Sequence, residues 1–194
     1  PGTALELEKL GWTSGAWQLQ DDAGTQIEAE TLALTMTQTT AATYDFNAQA
    51  SALAPGEPTR ARLRLPDTFP RAFDSLMLHA TVTFDRPWDR RALSTARPQP
   101  RQIRLHLAEA KWGDLNLNFA ADLSVDSAGV PVGNVSIQAE NWRAMLDLAQ
   151  ASGTLPEALR GRAENVLQVL AGASGNPDTL DVDLTLRDGG IFLG

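Results

Sequence analysis

Apolar side chains occupy every second position of the eleven-residue run LNLNFAADLSV. Leu115, Leu117, Phe119, Ala121, Leu123 and Val125 fall on one face, with Asn116, Asn118, Asp122 and Ser124 on the other. A period of two marks a strand with one dry and one wet face, and at about 3.3 Å per residue this one reaches roughly 35 Å. The same alternation recurs over residues 4–8, 17–20, 27–37, 43–53, 61–65 and 76–84. It returns over 103–110, 132–139, 180–186 and 191–193. Turn signals at residues 11–15, 21–24, 111–114, 126–129 and 188–190 make successive strands antiparallel neighbours. Residues 85–102, rich in Pro and Arg, interrupt the pattern and read as a long loop holding one helical turn.

Two stretches change period to that of a helix. Asn141 is placed to cap Trp142, Met145, Leu146 and Ala149, which end at Gly153. Thr154-Leu155-Pro156-Glu157 has the capping-box pattern, and Leu159, Ala163, Val166, Leu167 and Leu170 form the stripe that follows, up to Gly172. The fold expected is therefore mainly β (α+β). It is a long, antiparallel, curved meander sheet with a helical pair near the C-terminal end packed on one side, all in a single β-rich domain over residues 1–194. LELEKLGWTSGAWQLQ and LHLAEAKWGDLNLNF each carry a Trp at a turn between alternating strands and suggest a repeated unit.

The helices total about 28 residues and, at roughly 10 Å width, cover about four strands, fewer than the pattern supplies. The remaining dry face must pack on itself, meet another segment or form a groove. Leu78, Val82, Leu105, Leu117, Phe119, Ala121 and Leu123 are the candidate groove lining, with core packing as their ordinary alternative.

A hydrophobic content of 43% and a charged content of 21% are those of a globular protein with a sizeable core. The net charge of −8 argues against nucleic acid as a partner. Cysteine is absent, which excludes disulfides, thiolate catalysis and Cys-based metal sites. No run approaches the length of a transmembrane helix. The start at Pro1 and the end at Gly194 read as those of an excised piece, with any membrane anchor in a segment absent from this chain.

Candidate chemistry is sparse. His79 and His106 sit on the polar side of their strands, and a metal pair would need both in register on neighbouring strands with a carboxylate. Asp181 and Asp183 flank Val182 and could serve as an acid–base pair if a histidine converged on them. Arg86, Arg90 and Arg91 crowd the Pro-rich loop with Trp88 and could hold an anionic head group, although Asp85 and Asp89 interleave. Arg60, Arg62 and Arg64 form a second cluster. Gly11 to Gly15 has nucleophile-elbow spacing but carries Thr13 at its centre. No catalytic residue, metal ligand or cofactor is assigned.

Several spaced motifs carry a family resemblance. They are Phe84-Asp85-Arg86-Pro87-Trp88-Asp89-Arg90, Ala108-Glu109-Ala110-Lys111-Trp112-Gly113, Asn141-Trp142-Arg143, Gly175-Asn176-Pro177 and Gly190-Ile191-Phe192-Leu193-Gly194. In this order the chain resembles the bacterial domain of unknown function 2125, distantly similar to AsmA-like envelope proteins. The resemblance implies an inner-membrane anchor outside this segment, a periplasmic location, and a sheet groove tied to lipid transport. It supplies no catalytic residue. Three functions follow: lipid binding or conduction with phospholipid as ligand, a structural adaptor pairing with another envelope protein through its sheet, and a hydrolase built on the Asp and His residues above.

Overall fold

The computed structural model describes residues 5–67, 69–93, 97–173 and 175–194. Its strands are β1 (Lys9–Ser14), β2 (Trp17–Asp21), β3 (Gly24–Ala29), β4 (Thr31–Thr40), β5 (Thr43–Ser51), β6 (Ala54–Pro55), β7 (Ser75–Phe84), β8 (Pro100–Trp112), β9 (Leu115–Val125), β10 (Pro131–Glu140), β11 (Thr179–Arg187) and β12 (Gly190–Leu193). Its α-helices are α1 (Glu57–Arg62), α2 (Trp142–Ala151) and α3 (Glu157–Ala173), and a 3-10 turn spans Arg90–Leu93. Nine strands form one sheet in the order β1-β4-β5-β7-β8-β9-β10-β11-β12, antiparallel throughout and unclosed, while β2, β3 and β6 form a small second sheet. The mainly β fold with a helical pair near the C-terminal end is as the alternation predicts.

Register aligns the dry faces of all nine strands. Leu10, Met36, Phe46, Ala80, Leu105, Ala121, Val135, Leu184 and Leu193 pair successively across the sheet, one from each strand. Beside this row run Trp12, Leu34, Ala48, Leu78, Ala108, Phe119, Ile137 and Val182. Because a one-residue slip would turn a whole strand inside out, each hairpin must hold its register. The turn after β9 does so through Asp126, whose carboxylate accepts the Ala128 and Val130 amides at 2.8 and 2.9 Å.

Strand β8 contains a phase error that the fold repairs. Ile103 and Leu105 are in phase with each other but not with Ala108, Ala110 and Trp112. A bulge between Leu105 and Ala108 inserts the extra residue. Leu107 therefore pairs with His79 on the wet face and is 37% exposed, while Ala108 returns to the dry one.

The helices cover one end of β9 to β11. Trp142, 2% exposed, donates its indole N–H to the Pro177 carbonyl at 3.0 Å and packs with Ala139 and Ala171, surrounded by Leu117, Met145, Leu146, Leu167 and Leu180. Asn141 stands at the expected N-cap but is left-handed (φ 58°) and makes no side-chain cap. The stripe expected on α3 is rotated: Leu159 and Val166 are exposed, whereas Arg160 and Glu164, paired at 2.8 Å, lie on its half-buried side.

Other departures have local causes. Residues 61–65 do not form a strand: α1 begins after Gly56 with Pro58 in its first turn, which pre-sets helical φ. Within it Arg60 is buried, and its guanidinium donates to the carbonyls of Pro66, Phe69 and Pro70 at 3.0–3.1 Å. The expected strand 27–37 breaks at Glu30, where the chain passes from the small sheet to the large one. The expected strand 4–8 gives way to β1, which runs through the glycine turn at Gly11, and Ala4 lies outside the described residues. The two Trp-containing units are not equivalent, since β8 and β9 pair while β1 and β2 belong to different sheets.

Little of this sheet is deeply buried. Eleven described hydrophobic residues form the core, and seven are alanine: Ala29, Ala50, Ala54, Ala80, Ala92, Ala139 and Ala171. The accessible surface is 12048 Å², against roughly 9,000 Å² for a compact monomer of this mass. Packing is concentrated under the helices. Trp142→Ala is therefore expected to cost about 3–5 kcal/mol, and Val166→Ser less than about 0.5 kcal/mol, read as shifts in a urea unfolding midpoint.

Candidate functional site

Among the described residues the dry face is walled at both ends and opens into two cavities between them. At one end α2 and α3 are joined by the loop before β7, where Phe69 and Phe73 lie against Trp112 with ring centroids at 4.6 and 4.2 Å. Trp112 also donates to the Pro70 carbonyl at 2.9 Å. At the other end, Glu6 bridges Asp89 and the Leu7 amide donates to the Trp88 carbonyl at 2.7 Å, so the N-terminal strap and the Arg-rich loop hold each other. Tyr44, fully buried, accepts the Trp88 amide on its hydroxyl at 2.9 Å and meets Phe84 edge-on.

Between the walls the floor is low because alanines alternate with large residues across neighbouring strands. A cavity of about 330 Å³ lies over Ala48, Ala50, Ala108 and Ala110, flanked by Leu32, Leu76, Leu78 and Phe119. A second, of about 510 Å³, is lined by Leu5, Leu7, Leu10, Leu34, Met36 and Phe46, with Trp88, Glu6, Asp89 and Arg90 at its polar side. The two adjoin, since Leu34 of one pairs with Ala48 of the other. Together they form an apolar trough within the size range of small-molecule sites.

All seven residues expected to line a groove face this side. Leu78 and Phe119 line the first cavity, and Leu117 packs under the helices. Val82, Leu105, Ala121 and Leu123 occupy the same face farther along, half-buried, opposite Tyr44, Ala80, Val135 and Ile103. The larger cavity was not foreseen. Its walls come from four segments far apart in sequence, and Trp88 amid the arginines was the one visible signal.

Of the loop cations, two are neutralised by their neighbours. Arg86 pairs with Asp85 at 2.9 Å and Arg91 with Asp89 at 2.6 Å. The Arg86 hydrogen bond, helped by the Gln99 amide, holds the Asp85 carboxyl below its ordinary range. Arg91 does the same for Asp89. Arg90 is exposed beside the larger cavity, and its guanidinium has no ion pair or hydrogen bond among the described residues. The second arginine cluster is no anion site on a strand, because Arg60 is spent on loop carbonyls.

The opposite face carries the histidines. His79 and His106 stack at 4.5 Å, and His106 Nε2 lies 2.8 Å from the Thr81 hydroxyl, which donates to Asp45 at 2.7 Å. Sequence spacing did not reveal this chain, since it depends on the register in which β7 meets β8 and β5. A hydroxyl whose proton is held by a carboxylate offers its lone pairs to the imidazole N–H, the reverse of a nucleophile activated by histidine. Among the described residues no three His, Asp or Glu side chains gather as a metal site.

Asp181 and Asp183 do not meet either histidine. Asp183 takes the Ser136 hydroxyl at 2.6 Å, and β11 stands three strand spacings from β8, roughly 14 Å, and four from β7, roughly 19 Å. The hydrolase arrangement built on these four residues is overturned, because acid–base partners must lie within hydrogen-bond reach or one water.

The chain belongs to a family described as an uncharacterized protein conserved in bacteria, domain of unknown function 2125, whose model matches residues 1–194. No curated protein and no solved structure matches it. No described helix is long and apolar enough to cross a membrane.

The loop wall has a pH dependence of fixed sign. A carboxyl depressed in the folded state stabilises it above the unfolded pKa, and that contribution is lost as pH falls through the folded value. Asp85→Asn is expected to lower the thermal midpoint at pH 7, with the gap to wild type closing as the pH is taken from 4 down to 2.5.

Proposed function

We propose that this chain is a non-enzymatic lipid-binding protein of the bacterial cell envelope that holds acyl chains along the bare dry face of its sheet. One observation carries the reading: nine apolar residues lie in register across nine strands, and the described elements that pack over them do so at the two ends. A trough floored by alanine and walled by Leu, Met and Phe suits a flexible alkyl chain, each methylene of which gains roughly 0.8 kcal/mol on leaving water. A distant kinship with AsmA-like proteins, a periplasmic setting and membrane attachment through a segment other than this one belong to the same proposal.

A second reading, an adaptor pairing with another envelope protein, draws on the sheet edges. Strand β12 pairs with β11 only over Leu184–Arg187, and among the described residues Leu180, Asp181 and Val182 have no strand partner on that side. Crosslinking that traps one dominant protein through this edge would favour it.

Native mass spectrometry of freshly purified protein is the direct test, with phospholipid adducts as the expected result. Ala48→Phe and Ala108→Phe fill the trough without adding charge and are each expected to weaken binding of a neutral apolar dye at least about tenfold. Repeated preparations free of lipid, together with no dye binding by the wild type, would sink the proposal.

A further inference from the structure

The larger cavity carries a polar rim that the trough itself does not need. Most charges around it are cancelled: Asp89 accepts the Arg91 amide and both guanidinium contacts of Arg91 at 2.6–2.8 Å, and Asp85 holds Arg86. Two are not. The Arg90 guanidinium lacks any partner among the described residues, and Glu6 has no ion pair there, receiving only the Gln38 side-chain amide at 3.3 Å. These two opposite charges line the same cavity, placed close because Glu6 bridges Asp89, the residue before Arg90. Yet no ion pair within 4.0 Å joins them among the described residues, so both remain available to a third party.

A simple anion would be drawn to Arg90 but repelled by Glu6, and a simple cation the reverse. Charge complementarity across the rim is met by a head group that carries both signs a few ångströms apart. The apolar walls below, Leu5, Leu7, Leu10, Leu34, Met36 and Phe46, meet the alkyl chain of the same molecule. We infer that the larger cavity is the head-group end of the trough and selects a zwitterionic phospholipid of the ethanolamine type. Its phosphate sits at Arg90 and its ammonium at Glu6. This rests on the lipid-binding reading above and adds to it a direction, heads at the N-terminal strap and tails toward Phe119, and a pair of specificity residues.

The test measures preference, not binding alone. Wild-type protein is titrated with palmitoyl-oleoyl phosphatidylethanolamine and, separately, with the phosphatidylglycerol of the same chains, each displacing a neutral apolar dye. One charge-assisted contact more on the ethanolamine lipid corresponds to a preference of roughly tenfold. Glu6→Gln is expected to bring that ratio toward one, whereas Arg90→Gln is expected to weaken both lipids about tenfold and leave the ethanolamine preference standing. Thermal melts establish that the variants are folded, and the double exchange E6R/R90E, which keeps one charge of each sign, is expected to restore part of the ratio. No dye binding by wild type would overturn the trough reading itself. Dye binding with equal affinities for the two lipids, or with phosphatidylglycerol favoured, would overturn only the head-group assignment. A ratio that survives Glu6→Gln, or lipid affinities that Arg90→Gln leaves unchanged, would do the same.

Discussion

The cross-sheet alignment of apolar residues constrains everything else in this molecule. A row running from Leu10 to Leu193 exists only while eight strand pairs keep their registers, so each turn, bulge and cap is answerable to it. The Asp126 turn, the break at Glu30 and the extra residue in β8 all preserve phase. The cost is an unusually wide dry face. Two helices and two loops shield its ends, and the alanine-rich middle presents too little volume to close over itself.

Much of this was legible in the chain. Strict alternation in Leu115–Val125, Thr43–Ser51 and Ser75–Phe84 locates the strands and the face on which Leu78, Phe119 and Ala121 lie, because side-chain direction in a strand is fixed by parity. The change of period at Trp142 locates the helical pair. Three things were not legible. Residues 61–65 alternate like a strand, but Pro58 and the carbonyls that capture Arg60 decide in favour of a helix at 57–62. On α3 two stripes compete, and the paired Arg160 and Glu164 displace Val166 to solvent. The larger cavity needed the strap, β1, β4, β5 and the Trp88 loop to converge, a tertiary event with no local signature.

The two faces of the sheet divide their labour. The wet face is laced by side-chain pairs between neighbouring strands, among them Thr43–Thr83, Ser136–Asp183, Thr185–Asn134 and Arg104–Asp122. Such cross-strand contacts contribute a few tenths to about 1 kcal/mol apiece and depend on no covering layer. They help explain how a sheet half bare on one side holds its shape, since cohesion lies within the layer and less is asked of a second one.

The excess accessible surface has a thermodynamic corollary. Heat-capacity change and denaturant sensitivity both scale with the surface newly exposed when a chain unfolds. A protein that already shows water 12048 Å² in its folded form has less left to reveal. Its unfolding heat capacity should fall below the roughly 12–15 cal/mol/K per residue typical of compact domains, and its stability curve should be correspondingly flat. A lipid filling the trough would move apolar area into the folded state's interior and steepen that curve. Calorimetry would then distinguish an empty sheet from a loaded one by curvature.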